Sequence, residues 1–326
     1  MSLEASLMDE FGFVISALHA GQRLDRYLAV RFPFRSRTWW RRAIDDGLVR
    51  LSGRRSRPAV IVQAGGVCHV SSLVFQGVRR TLACHELSIL YQDDDIIVVN
   101  KPAGLIVHPR GTLTRGSLNC LLKERFGGEI HLVHRLDRFT SGVMIIARSR
   151  TASVSLDEQF RAGRVKKTYL ALVEGVTRWE TTNLEVHIGP LRASVVRLQM
   201  GIVSPPAGKP STTLFRVLGR GEEHTVLQAV PLTGRTHQIR VHAAHLGHPV
   251  VRDKLYGPAI DTDYFEQGVG NLTPWYPDWH GLHASQLTIC HPCHRLDMTF
   301  HCPPDGPLAD YMEEKCLVGS PRARDS

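Results

Sequence analysis

Five consecutive apolar residues, Val143-Met144-Ile145-Ile146-Ala147, stand directly behind the turn-forming segment His134-Arg135-Leu136-Asp137-Arg138-Phe139-Thr140-Ser141-Gly142. A run this short, rich in β-formers and bounded by a turn, reads as a buried strand. Similar runs recur at Asp95 to Asn100, Thr168 to Glu174, Glu185 to Gly189, Thr212 to Leu218 and Thr225 to Val230, with further strands near Leu282 and Met298. Helical patterns are fewer: Ser117 to Phe126, Ser149 to Arg161 and Gly234 to His245. Strands that outnumber helices without alternating strictly with them predict an α+β domain on a mostly antiparallel sheet. Asp137 then lies at a strand edge between two arginines, where a carboxylate stays ionised and serves either a surface ion pair or nucleophilic attack.

Charge is distributed unevenly. Between Gly21 and Val60 there are eleven arginines, three aspartates, no lysine and no glutamate, a net charge of +8 against +9 for all 326 residues. Such a footprint fits a polyanion. The segment lacks the long apolar face of a membrane-surface helix, which favours nucleic acid over acidic lipid. No run approaches the ~18 apolar residues of a membrane span. The start, with Glu4, Asp9 and Glu10, lacks the positive charge of a signal peptide. The seven cysteines are odd in number and scattered, which argues against a disulfide framework. The expected location is the cytoplasm.

Within the basic segment, Leu24, Tyr27, Leu28 and Phe32 have helical spacing, and Pro33 ends that helix. Ser36 caps a second helix through Trp39, Trp40, Ala43 and Ile44, stopped by Gly47. Short strands at Leu48 to Leu51 and Val67 to Val70 flank an Arg54-Arg55-Ser56-Arg57-Pro58 loop. Arg23-Leu24-Asp25, Leu28, Ser36-Arg37, Ile44, Gly47, Val49 and Gly53 resemble the pattern of the S4 RNA-binding domain, with Gly65-Gly66 replacing its usual Gly-Asp. That resemblance implies RNA contacts from Arg23, Arg26, Arg35, Arg37, Arg41, Arg42, Arg54 and Arg55. The expected organisation is a small α/β S4-like domain over 1–74, a linker over 75–86, a catalytic domain over 87–317 and a disordered tail over 318–326. Residues 258–280, rich in Asp, Gly, Pro and Trp, read as a surface insertion.

Further motifs follow in order. HRLDRFTSG at 134–142 resembles the catalytic motif of the RluA-type pseudouridine synthases. Lys101 to Pro109 matches that family's KPxGLxxHP, and Lys167 to Val173 its KxYxAxV. GRTHQIRVH at 234–242 is highly specific, and Leu282-His283-Ala284 with His291-Pro292 matches the closing element. Leu246 to Gly257 resembles GHPIxGDxxYG but has Arg252 where the family has Gly.

The resemblance implies an isomerase that converts uridine to pseudouridine in RNA, with ribosomal RNA favoured and transfer RNA the alternative, acting without cofactor or metal; a monomer is the default expectation. Asp137 is the implied nucleophile, Arg240 its ion-pair partner, and Tyr169 the aromatic against the base. Helical spacing over 234–245 would put Arg240 on the side of Thr236 and His237. Arg135 would fill the space of the flipped base. Substrate contacts are expected from His134, Thr140, Arg235, His237, Gln238 and Ile239, and phosphate contacts from Lys101 and His108.

Two other classes compete. One is a catalytically inactive RNA-binding or maturation factor of the same fold, against which Asp137, Tyr169 and Arg240 all speak. The other is a zinc-dependent base-modifying enzyme, suggested by Cys290, His291, Cys293, His294 and Cys302 or by the histidines 237, 242, 245 and 248. No HxE precedes the cysteines, the later cysteine is not part of a second CxxC, and the i,i+5 spacing of His237 and His242 splits them between helix faces.

Overall fold

The computed structural model describes residues 10–15, 17–32, 35–71, 74, 87–108, 117–191, 199–258 and 279–315. Pro33, the segments 75–86 and 259–278, and the tail after Leu317 lie outside them. The chain divides into two compact units.

The N-terminal unit holds β1 (Glu10–Val14), α1 (Leu24–Arg31), α2 (Arg37–Asp45), β2 (Val49–Leu51), β3 (Arg54–Arg55) and β4 (Val67–Ser71). Its strands form one sheet in the order β1-β4-β2-β3. Ser36 caps α2 as expected, its hydroxyl accepting from the Trp39 amide at 3.2 Å. Arg54 and Arg55 are not loop residues: they pair with Leu51 and Arg50 as an exposed strand. The apolar faces of both helices bury Leu24, Tyr27, Leu28, Trp40 and Ile44.

Two of the arginines expected to contact RNA also hold this unit together. The carboxylate of Asp25 is fully buried and accepts from Arg23 (3.1 Å), Arg37 (3.1 Å) and the Arg26 amide (2.9 Å). Burial alone would raise its pKa; the bonds from Arg23 and Arg37 outweigh that and hold it low. Arg23 and Arg37 thus join the two helices through a shared ion pair, while their side chains stay 42% and 52% exposed. Arg35 lies against the Trp39 ring at 4.6 Å. Arg26, Arg41, Arg42, Arg54 and Arg55 are exposed.

The second unit contains β5 (Ser88–Gln92), β6 (Ile96–Lys101), α3 (Leu118–Phe126), β7 (His131–Leu132), β8 (Ser141–Ala147), α4 (Arg150–Arg161), β9 (Lys166–Glu174), β10 (Thr181–Pro190), β11 (Met200–Ile202), β12 (Lys209–Arg220), β13 (His224–Pro231), α5 (Gln238–His245), β14 (Leu282–Cys290), β15 (Asp297–His301) and α6 (Gly306–Glu314). Eleven strands form one sheet in the order β11-β10-β12-β13-β9-β14-β8-β6-β5, with β15 on β14 and β7 on β8. All pairings are antiparallel except β8 with β14. The expected α+β, mostly antiparallel architecture is the one observed.

The strands β6 and β8, each built on an apolar run (Ile96–Val99 and Val143–Ala147), are buried along their whole length, as central strands require. Gly142 lets β8 meet β14: its φ is +110°, and a Cβ there would lie 2.3 Å from the Ala284 carbonyl oxygen. Helix α5 lays Ile239 and Ala243 onto Ala171, Leu227, Ala229 and Leu282. A large aliphatic side chain so buried contributes roughly 1.5–3 kcal/mol.

The expected helix over Gly234 to His245 begins only at Gln238. The cause is local. The Gln238 amide accepts from Thr233 Oγ1 (2.7 Å) and the Arg235 amide (3.0 Å), and donates to Thr212 O and Thr213 Oγ1 (2.9 Å each). That pins 233–237 as a loop, with His237 in the left-handed region at φ 57°.

Candidate active site

Three pieces of the central sheet converge. The loop before β8 brings Asp137, β9 brings Tyr169, and the loop after β13 with the start of α5 brings His237 and Arg240. Together they line a cavity of about 600 Å³, within the size range of small-ligand pockets.

Asp137 keeps 20% of its side chain exposed. Its Oδ2 accepts from Arg240 Nη1 at 2.8 Å, and its Oδ1 lies 3.8 Å from His237 Nε2. Burial would raise its pKa, but the neighbouring His237 and Arg240, with the Arg240 hydrogen bond, hold it far below the usual carboxylate range. The expected Asp137–Arg240 pair is present. Its reason differs from the helical one given above, since Thr236 and His237 lie outside the helix.

Arg240 has a second partner that sequence reasoning missed. Its Nε and Nη2 donate to Asp253 at 2.6 and 2.8 Å, and the Tyr256 ring covers the guanidinium at 5.0 Å. Asp253 is completely buried and also accepts from the Leu255 and Tyr256 amides. Burial would raise its pKa, yet Arg240 holds it at about 2. This fork-to-fork pair fixes the guanidinium plane, so the remaining N–H points at Asp137. The only sequence signal was Asp253 in the GHPIxGDxxYG-like stretch.

The Tyr169 ring packs beside Ile239 in the core cluster under the cavity. Burial, and then the charge of Asp137, push its phenol well above the ordinary range. The phenol is thus protonated at neutral pH and can act as a hydrogen-bond donor. Arg135 is exposed at the cavity rim, and Arg235 lines the opposite wall with its Nε on Pro210 O at 2.9 Å. His108 is exposed; burial of part of the ring, then Arg135, lower its pKa.

Other expected contacts have internal roles. Lys101 is fully buried, and its ammonium donates to the carbonyls of Pro102, Leu105 and Arg138 at 2.9–3.0 Å. Burial lowers it to about 7. It braces the turn behind Asp137 and cannot reach phosphate. His134 stacks on Phe160 and its Nε2 accepts from the Ile145 amide at 2.9 Å; burial lowers it to about 3, so it is a neutral wall of the cavity. Thr140 is buried with its hydroxyl on His280 Nε2 at 2.8 Å. Every hydrogen-bonding position of the Gln238 amide is used within the loop and on β12, and Ile239 lines the cavity through its apolar side chain alone.

The zinc alternatives meet competing chemistry. Among the described residues, Asp93, His291 and His294 bring three potential donors within 4.8 Å. His291 Nδ1 accepts from the Cys293 and His294 amides at 3.3 and 3.0 Å, so its proton lies on Nε2 and is donated to Asp93 at 3.0 Å. Neither ring nitrogen is then available to a cation. His242 bonds Ser211 and His248 the Glu174 carbonyl.

A family model described as RNA pseudouridylate synthase matches residues 95–245. Over 322 residues the chain is 35% identical to ribosomal large subunit pseudouridine synthase C of Escherichia coli (strain K12), covering 95% of this chain and 96% of that one. Among solved structures, human RNA pseudouridylate synthase domain containing 4 is similar with a TM-score of 0.57 and 27% identity, over 76% of this chain and 99% of that chain. Human RNA pseudouridylate synthase domain containing 1 is similar with a TM-score of 0.53 and 34% identity, over 68% and 84%. The chain therefore belongs to the RNA pseudouridylate synthase family, among its RluA-type members, and is an isomerase that acts on RNA.

Proposed function

We propose that this chain converts uridine to pseudouridine in ribosomal RNA, with Asp137 as the nucleophile. The observation that carries the chemistry is the Asp137 carboxylate, held ionised at 2.8 Å from Arg240 on a cavity large enough for a nucleotide. The reaction breaks the N1–C1′ bond, forms C5–C1′, gives N1 a proton and releases the C5 proton; it needs no oxidant and no water. Asp137 attacks the nucleoside at ribose or base. Tyr169 supplies a flat ring and a phenolic donor for the uracil. Arg135 occupies the gap left by the flipped nucleotide, whose unstacking costs roughly a few kcal/mol.

The N-terminal unit we read as an S4-like RNA-binding domain. Its motif residues and its exposed Arg26, Arg41, Arg42, Arg54 and Arg55 support that reading. The ribosomal substrate rests on the names of the relatives, ribosomal large subunit synthases matched over nearly their whole length. We place the enzyme in the cytoplasm as a monomer.

Tritium release from RNA labelled at uridine C5 tests the substrate. Release from a large-subunit ribosomal transcript and none from transfer RNA is the expected result. The reverse pattern would replace the ribosomal assignment.

A further inference from the structure

The turn 250–257 contributes no side chain to the nucleophile itself, yet it touches both groups that face it. Arg252 lies in the left-handed region at φ 61°, and the chain reverses so that Asp253 points inward. Asp253 Oδ1 then accepts from the amides of Leu255 (2.9 Å) and Tyr256 (3.0 Å), folding the turn over its own carboxylate while Nε and Nη2 of Arg240 are clamped. Gly257 closes the turn so tightly that a Cβ would lie 2.4 Å from the Asp253 carbonyl. The result seats the Tyr256 ring on Arg240 and its hydroxyl 2.8 Å from His237 Nδ1.

The direction of that last bond matters. The Tyr256 oxygen already accepts from the Met200 amide at 2.9 Å. Burial keeps the phenol protonated, and burial likewise lowers the His237 pKa, so the imidazole is neutral at pH 7. The Met200 amide takes one lone pair of the phenolic oxygen, and among the described residues Nδ1 is the one acceptor within reach of the buried phenolic proton; a neutral ring that accepts there carries its own proton on Nε2. That nitrogen is the one 3.8 Å from Asp137 Oδ1.

We infer that Tyr256 is a positioning residue that fixes His237 as the Nε2–H tautomer, a neutral donor facing the Asp137 carboxylate and the bound nucleotide, with Asp253 setting the turn that holds Tyr256 and Arg240 together. The inference rests on the reading of Asp137 as nucleophile. The carboxylate thus has Arg240 on Oδ2 and a second donor beyond Oδ1. At 3.8 Å the second donor is too far for a direct bond, which leaves it free for a nucleotide oxygen lodged between them. The opposite tautomer would set a lone pair against Asp137 and remove that donor.

The test uses the full chain with 15N-labelled histidine. Two-bond proton–nitrogen spectra at neutral pH should show His237 protonated on Nε2; protonation on Nδ1 in the wild type overturns the inference. Tyr256→Phe keeps the ring over Arg240 and removes only the hydroxyl. It should give a mixture of His237 tautomers and lower kcat about tenfold, with KM for RNA and Tm unchanged. A tautomer shift with wild-type kcat overturns the positioning role. His237→Gln, whose amide N–H can replace Nε2–H, should retain more activity than His237→Ala and lose nothing further on adding Tyr256→Phe; an equal loss for both substitutions counts against the donor. The tautomer spectra do not depend on Asp137 chemistry. If Asp137→Asn remained active, the nucleophile reading alone would fall.

Discussion

Replacing Arg240 with methionine removes three donors at once while keeping much of the side-chain volume. Two of them serve Asp253, whose carboxylate has no exposed surface; the third serves Asp137, which keeps 20% exposure. Breaking a buried pair by removing one partner costs roughly 3–5 kcal/mol, because the remaining charge is stranded. For a domain of this size that lowers Tm by roughly 6–20 °C. Most of the loss comes from Asp253, so Arg240→Met with Asp253→Asn should be more stable than Arg240→Met alone. Loss of a charge-assisted hydrogen bond worth roughly 1.5–3 kcal/mol should lower kcat about 10- to 150-fold, with RNA affinity within about twofold of wild type. Thermal unfolding followed by circular dichroism at pH 7 and single-turnover kinetics supply both readouts. A Tm within about 2 °C of wild type, or a double variant no more stable than the single one, would refute the stranded-charge argument.

The same pair gives a pH dependence of known sign. Asp253 is depressed from 3.8 to about 2, so its stabilisation is complete above the unfolded value and disappears as pH falls through the folded one. Its size is roughly 2–3 kcal/mol. Wild-type stability should drop between about pH 5 and pH 2, and Arg240→Met should flatten that drop.

Three further variants separate structural from functional roles. Lys101→Met should lower Tm by several degrees by orphaning the Pro102 and Leu105 carbonyls and leaving Arg138 O only its bond from the Gly104 amide, while RNA affinity stays unchanged; weakened RNA binding at an unchanged Tm would restore Lys101 as a substrate contact. Neutralising Arg41, Arg42 and Arg54 with glutamine should lower the slope of log affinity against log salt by roughly 2–3, and an unaltered slope would remove this face from the RNA interface. Gly142→Ala puts a methyl 2.3 Å from the Ala284 carbonyl at φ +110°, and should cost more than about 2 kcal/mol in urea unfolding. Wild-type stability there would mean that β8 and β14 can move apart.

The strands were legible because β6 and β8 carry short apolar runs, and the helix starts because Ser36, Ser117 and Ser149 sit at N-caps where their hydroxyls accept backbone amides. The Asp137–Arg240 pair came from family motifs, and no local pattern would have joined residues 103 positions apart. Three things were hidden for physical reasons. The start of α5 is set by a tertiary hydrogen bond from the Gln238 amide to β12, which overrides helical spacing. Lys101 is buried because three turn carbonyls converge on it, although lysine composition favours the surface. Asp253 is legible only once the left-handed turn at Arg252 aims it at Arg240. The arginine-rich segment was read as one basic face, and the buried Asp25 that ties Arg23 and Arg37 to both helices gave no sign of that role in the sequence.

The most direct measurement compares wild type with Asp137→Asn in C5-tritium release from the large-subunit ribosomal transcript, with RNA binding measured in parallel. The expected result is release by the wild type, none above background by the variant, and equal RNA affinity for both. Release by Asp137→Asn at a rate near wild type would contradict the claim that the Arg240-held carboxylate is the nucleophile.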